Sequence, residues 1–220
     1  MLRALRGSLA LAVLLAATQV AAQAVPPPTS PFTDAIPDAA PKVPTDLVLK
    51  LRLGSYSAVF EDTRLDEIRD HAGVGHADQA GDASEFTRWY CYSLPGALVW
   101  LESGEMGGGD RLTSVAAEST EPSDPRRSSC PALPESLTPA TLEFGWLGTP
   151  RATLERALGK PSVVRDDWLA FYYVGKKRGS YKGPGDAMSR QVEFDVVSSV
   201  EVRVRDGVVA ELRASHVTSY

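Results

Sequence analysis

The chain has 220 residues, with 23 Lys and Arg against 28 Asp and Glu and a net charge of −5. An acidic chain is a poor partner for nucleic acid, whose phosphates reward clustered Lys and Arg, and that class is set aside. Two cysteines among 220 residues allow one intramolecular bridge.

Arg3 and Arg6 are the only charges before Asp34, and a short apolar run from Leu9 to Ala17 leads to Ala22-Gln23-Ala24. A basic start, an apolar stretch of about 7–15 residues and an Ala-x-Ala exit are the parts of a secretory signal. The run falls short of the roughly 20 apolar residues that a membrane-spanning helix needs. Residues 1–24 are therefore expected to be a signal peptide cleaved before Val25, with no membrane span in the mature chain. No Cys stands near the cleavage point, which excludes a lipid anchor there. Cleavage leaves 21 basic against 28 acidic residues, a net of −7. The expected location is periplasmic or secreted.

Residues 25–45 carry Pro26-Pro27-Pro28, Pro31, Pro37, Pro41 and Pro44 with few large apolar residues. Proline removes a backbone donor and stiffens the chain, so a solvated lead-in is expected. A second such stretch, with Pro122, Pro125, Pro131, Pro134 and Pro139, gives a linker over 120–139. It separates two blocks, 46–119 and 140–220. Each is small for an independent core, so the two are expected to share one fold unit or lean on each other.

In the first block, Leu47, Leu49, Leu51 and Leu53 alternate with Val48, Lys50 and Arg52 as a strand does. A helix follows, with Thr63 as cap, Ile68 and Ala72 four apart, and Gly73 closing. Strands are expected at Trp89–Leu94, Ala97–Glu102 and Leu112–Ala117, with Gly104 to Gly109 as a flexible hairpin tip. In the second block Thr149 caps, Pro150 suits the first turn, Leu154 and Leu158 share a face, and Gly159 and Pro161 end the helix. Trp168–Val174 reads as a strand. Val192, Phe194 and Val196, then Val200, Val202 and Val204, alternate with charges, which describes strands with one buried face. Arg205-Asp206-Gly207 fits a three-residue hairpin loop that pairs Val204 with Val208, Val202 with Ala210 and Val200 with Leu212. Thr63, Ile68, Ala72 and Gly73 match Thr149, Leu154, Leu158 and Gly159 at one constant offset. Tyr56, Ala58 and Phe60 match Leu142, Phe144 and Trp146 at the same offset. The predicted fold is α+β, two tandem helix-plus-antiparallel-sheet repeats, 46–119 and 140–220, joined by the proline-rich linker.

The stretch Leu147-Gly148-Thr149-Pro150-Arg151, then Leu154 and Leu158-Gly159-Lys160-Pro161, followed by Trp168 to Tyr173, resembles the repeat of the β-lactamase-inhibitory-protein superfamily. That group includes small outer-membrane assembly lipoproteins of the SmpA/OmlA type. The resemblance covers residues 142–217, and 47–119 more faintly, since no proline follows Gly73 and the lipoprotein cysteine is missing. It implies a domain that binds a protein through its sheet and loops, without catalysis.

Cys91 and Cys130 are expected to form a disulfide, because an even pair in an exported chain usually bridges. His71, His76 and Asp78 lie close in sequence but lack a fixed ligand spacing, and they read as capping and loop residues rather than a metal site. Gly104 to Gly109 has no following Lys-Ser/Thr and is not a phosphate loop. Neither Gly-x-Ser-x-Gly nor another serine-nucleophile context appears. The segment Lys176, Lys177, Arg178, Tyr181 and Lys182, with Tyr172 nearby, stands out from the acidic background. It reads either as a solvated hairpin arm or as a contact loop offering cations and aromatic area to an acidic partner. The reading is an exported protein-binding module, without cofactor or catalytic residues, whose partner is an envelope protein or a secreted enzyme that it inhibits. The alternative is an envelope hydrolase acting on glycan or lipid through paired carboxylates. Two desolvated carboxylates in a cleft would favour the enzyme, and a sheet edged by Tyr and Lys would favour binding.

Overall fold

A computed structural model describes residues 24–32, 49–82, 86–181 and 188–219. The leader through Gln23, Pro37, Pro41, Pro44, Leu47 and Lys182 lie outside the described residues.

Two strands, β1 (Lys50–Leu53) and β2 (Tyr56–Val59), form a hairpin that leads into helix α1 (Leu65–Ala72). The strands β3 (Asp78–Ala80), β4 (Thr87–Leu94), β5 (Ala97–Gly104) and β6 (Ser114–Ser119) follow. The linker leads to β7 (Ala140–Leu142) and helix α2 (Arg151–Leu158). After it come β8 (Val163–Arg165), β9 (Trp168–Tyr181), β10 (Arg190–Arg205) and β11 (Val208–Ser219). A three-stranded sheet has the order β2-β1-β7, and an eight-stranded sheet the order β3-β4-β5-β6-β11-β10-β9-β8. The protein is thus α+β, mostly sheet with two helices. Each helix is followed by a three-residue strand and three longer ones, and β6 meets β11 at the centre of the large sheet.

Both helices are eight residues long and start 86 positions apart, at Leu65 and Arg151. Their caps differ from expectation. Thr63 and Thr149 precede the N-cap residues Arg64 and Pro150, which make no side-chain cap bond. Instead each threonine hydroxyl accepts the N–H of a residue upstream, Val59 at 2.9 Å and Trp146 at 2.8 Å. A threonine oxygen one residue too early for the cap satisfies the incoming turn instead. Gly73 does close α1 in the left-handed conformation, at φ 67. The expected run from Leu142 to Trp146 stops as a strand at Leu142, where the chain turns back and Leu142 bridges to Gly145.

One face of the large sheet is the core. Tyr90, Leu101, Val115, Ala214, Val200 and Phe171 lie in one row across it, and Tyr92, Val99, Ala117, Leu212, Val202 and Leu169 in the next. Leu65, Ile68, Leu154 and Leu158 from the helices and Leu51 and Leu53 from the small sheet join the same cluster. Each block therefore completes its burial on the other.

The hairpin between β10 and β11 corrects the expected register. Asp206 and Gly207 form a two-residue turn with φ 51 and 77, the conformation whose twist matches paired strands. It sets Val204 against Val209, and a shift of register beyond Val204 then places Val202 opposite Leu212 and Val200 opposite Ala214. One extra residue on β11 restores the apolar face that a two-residue turn alone would break.

The two proline-rich stretches are not free in solvent. Cys130, Leu133 and Leu137 of the linker are buried, and Ser93 exchanges backbone bonds with Pro131 and Leu133. The edge of β4 beyond the short β3 is open at Ser93, and the linker fills it. Val25 is 7 % exposed, and residues 25–32 lie on the sheet face away from the helices. A proline-rich segment still carries carbonyl acceptors and apolar rings, and both find partners there.

Candidate functional site

The alternation that buries one face directs the other set of side chains outward. Three successive rows cross this outer face. The first holds Trp89, Glu102, Ser114, Ser215, Ser199 and Tyr172. The second holds Cys91, Trp100, Ala116, Arg213, Glu201 and Ala170. In the third, Leu98, Glu118, Glu211, Arg203, Trp168 and Arg165 follow Ser93. The β4–β6 side is apolar and contains the Cys91–Cys130 disulfide, packed with Trp89, Leu98, Trp100 and Val25.

The centre is polar. Glu102 is buried, and Arg213 donates to its Oε2 at 2.8 Å. Burial pushes the Glu102 carboxyl above its ordinary value, and Arg213 opposes that shift. Glu201, across the ladder from Arg213, accepts from the Tyr172 hydroxyl at 3.3 Å, and its Oε2 is buried without a hydrogen-bond partner. Two desolvated carboxylates thus occur on one face. They sit on β5 and β10, three strand spacings or about 14 Å apart along the sheet. Arg213 is bonded to one and paired in register with the other, so a cation occupies the ground between them.

Tyr172, expected to offer contact area, is 3 % exposed and held by Glu201. The other candidates lie on an arm. Beyond Val174, β9 is paired only with β10 among the described residues, and past Asp195, where the pairing of β10 with β11 stops at Ser219, the two run on as a ribbon from Lys177–Phe194 to Tyr181–Arg190. Lys176, Lys177 and Arg178 are exposed strand residues rather than a loop. Lys176 Nζ lies 3.0 Å from Glu193 and 3.7 Å from Asp195, and Lys177 Nζ lies 3.8 Å from Glu61. On the side of the ribbon that carries Lys177, Tyr181 meets Phe194 edge-on at 6.5 Å, and Arg190 stands over the Tyr181 ring at 5.7 Å. The opposite side carries Lys176, Arg178, Glu193 and Asp195, so cations stand on both sides of the arm and aromatic rings on one. Its four described cations, Lys176, Lys177, Arg178 and Arg190, outnumber Glu193 and Asp195.

The fold also assembles a trio that sequence reasoning missed. Ser198 Oγ lies 2.6 Å from His216 Nδ1, and Glu61 Oε2 lies 3.5 Å from His216 Nε2. The residue types are those of a nucleophile relay. However, Ser198 is fully buried, and Glu61 is engaged by the Thr218 N–H and hydroxyl. No acyl group can reach that serine, so the trio clasps the end of β11 to the loop before α1. The register shift in the β10–β11 hairpin brings Ser198 opposite His216. Without it, His216 would face Val197.

His71 rests on the Tyr56 ring at 4.1 Å instead of capping α1, and His76 pairs with Asp78 at 3.5 Å. Among the described residues no three or more His, Cys, Asp or Glu side chains are placed to hold a metal ion. No helix there is long and apolar enough to cross a membrane. An apolar hollow of about 580 Å³ at the β4–β5 turn, beside Pro139 and Trp146, has no ionisable side chain in its lining.

No family model and no curated protein matches the sequence. Among solved structures, the chain is similar to a candidate β-lactamase inhibitor protein from Streptococcus mutans, at 9 % identity and a TM-score of 0.24. That match covers 75 % of this chain and 90 % of the other. A likeness at that level leaves the assignment of function to the site itself.

Proposed function

We propose that this is an exported, non-catalytic protein-binding module, working in the periplasm or outside the cell, whose partner is an envelope protein or a secreted enzyme that it inhibits. The observation that carries the reading is the arm: two strands outrun the sheet and present cations on both sides, joined on one side by aromatic rings. Arginine, lysine and aromatic side chains supply steering and anchoring at interfaces. The disulfide suits an oxidising compartment. The fold reading that goes with it is an internal duplication, two helix-plus-sheet units over 46–119 and 140–220. Equal helix lengths, the constant offset of 86 and the matching strand sequence after each helix support it.

The test is affinity capture by the mature protein from envelope extract, run beside two variants. Replacing Lys176, Lys177 and Arg178 together by Ala should slow association and flatten its salt dependence. Tyr181→Ala should raise the dissociation rate about tenfold or more. A captured partner that binds both variants as it binds the parent removes the arm from the interface.

A further inference from the structure

The segment Val25–Phe32 makes its polar contacts with the sheet at a regular interval. The Val25 carbonyl accepts from both indoles, Trp89 Nε1 at 3.0 Å and Trp100 Nε1 at 2.9 Å. The Pro28 carbonyl accepts from Arg213 at 3.1 Å, and the Pro31 carbonyl accepts from Arg165. Phe32 then meets the Trp168 ring edge-on at 6.5 Å, with Arg165 at 5.4 Å over its own ring. Residues 25, 28 and 31 are three apart, the period of polyproline II, which has three residues per turn and a rise of about 3.1 Å, and the chain turns at Pro31 and Phe32. Three residues then advance about 9.3 Å. Two strand spacings, from Trp100 on β5 to Arg213 on β11, are about 9.5 Å. Trp100 and Arg213 are thus spaced to the ligand's own pitch, whereas Arg165 on β8 stands three strand spacings, about 14 Å, beyond Arg213.

We infer that the outer face is a docking track for extended proline-rich segments, occupied in cis by Val25–Phe32, and that a proline-rich segment of a partner protein displaces this strap. The chemistry of the track selects proline. Indole and guanidinium groups only donate, and a proline backbone offers carbonyls with no N–H left unmet. Aromatic-lined grooves with such donors read polyproline helices generally. The strap is built to leave. Only Val25 in it is buried, and the sheet's own hydrogen bonds do not pass through it. It also fits incompletely: a hollow of about 390 Å³ remains between Pro26–Ser30 and Trp89, Glu102 and Arg213. The Arg165 and Trp168 end of the track stands at the opposite end of β9 from the basic arm, and the inference stands independently of the arm.

The test uses the mature chain with a protease site inserted between the strap and β1, folded intact and then cut. The probe is a fluorescent peptide of the strap sequence, Val-Pro-Pro-Pro-Thr-Ser-Pro-Phe. After cutting and dialysis the protein should take up the probe saturably, with a change in tryptophan emission. The uncut protein should take up at least tenfold less at the same concentration. A probe with glycine in place of its first three prolines should bind at least tenfold more weakly. Cut protein that keeps its circular dichroism and thermal transition yet takes up no probe overturns the inference, as does equal binding of the glycine probe. Should cutting unfold the chain, Pro28→Gly in the uncut protein serves instead. It loosens only the strap and should raise probe uptake at least tenfold over the parent, and no rise overturns the inference. Variants of the arm should leave every one of these results unchanged, so failure here and failure of the arm as an interface are separate outcomes.

Discussion

Removing the Cys91–Cys130 bridge should cost about 3–4 kcal/mol. The bond joins positions 39 residues apart, and closing a loop of that length removes about 4 kcal/mol of entropy from the unfolded chain in the chain-entropy model. The folded state loses less, because the linker keeps its backbone bonds to Ser93 and the contacts of Arg127 with the Leu94 and Ala97 carbonyls. For a chain of this size each kcal/mol moves the thermal midpoint by about 2–4 °C, so the expected fall is about 6–16 °C. The measurement is paired thermal and urea unfolding of the oxidised protein, the reduced protein and the double variant Cys91→Ala/Cys130→Ala. The urea slope should rise in the last two, since an uncrosslinked unfolded chain exposes more surface. Thiol titration of unfolded, unreduced protein should find no free thiol. A fall under about 2 °C with an unchanged slope would refute the argument that the bridge acts by restricting the unfolded chain.

Leu158→Ala should destabilise by about 2–5 kcal/mol, since the side chain is buried between α2 and the sheet core, and a loss under about 1 kcal/mol in urea unfolding would place it at the surface. Asp66 accepts from the Tyr90 hydroxyl at 2.6 Å and from Arg88 at 2.9 Å, and the Tyr90 bond is the main reason its pKa lies below its ordinary value. Asp66→Asn should therefore cost about 1–2 kcal/mol at neutral pH, a difference that fades in acid melts as pH falls below 3.8. Glu102 has the opposite sign. Its pKa is raised by burial, so its contribution is full below 4.5 and is lost as pH rises through the folded value. Melting curves of Glu102→Gln against the parent should show the parent losing ground with rising pH, and parallel profiles would contradict that.

The core was legible because it repeats a simple period. Ile68 and Ala72, Leu154 and Leu158, and Val200, Val202 and Leu212 of β10 and β11 all face the core as their spacing directs. What could not be read was anything set by a single residue's departure from the period. The register shift after Val204 moves His216 from Val197 to Ser198, and no composition signals where an extra residue will be absorbed. The basic run was legible as a projecting arm, but its carboxylates were not: Glu193 and Asp195 on the paired strand, and Glu61 from more than a hundred positions away. The proline-rich stretches misled for a different reason. Composition reports that they have no core of their own, and says nothing of a groove elsewhere that accepts carbonyls.

That groove follows from how the large sheet divides its outer face. The half built from β9, β10 and β11 carries Ser199, Glu201, Arg203, Glu211 and Arg213, side chains that suit water or one another. The half built from β4, β5 and β6 carries Trp89, Leu98 and Trp100. Two tryptophans present about 150–250 Å² each, so leaving this half bare would expose a patch near the 300–600 Å² that marks interaction sites on soluble proteins. Two coverings close it, the disulfide-tethered linker and the strap. The linker is fixed by a covalent bond and by backbone pairing at Ser93. The strap is held by four side-chain donors and two ring contacts, all of which an incoming segment of the same chemistry can take over one by one. A surface that must be covered, and whose cover is held by side-chain donors, is shut until a competitor arrives. The tryptophan pair is then both the reason for the cover and the anchor for what replaces it.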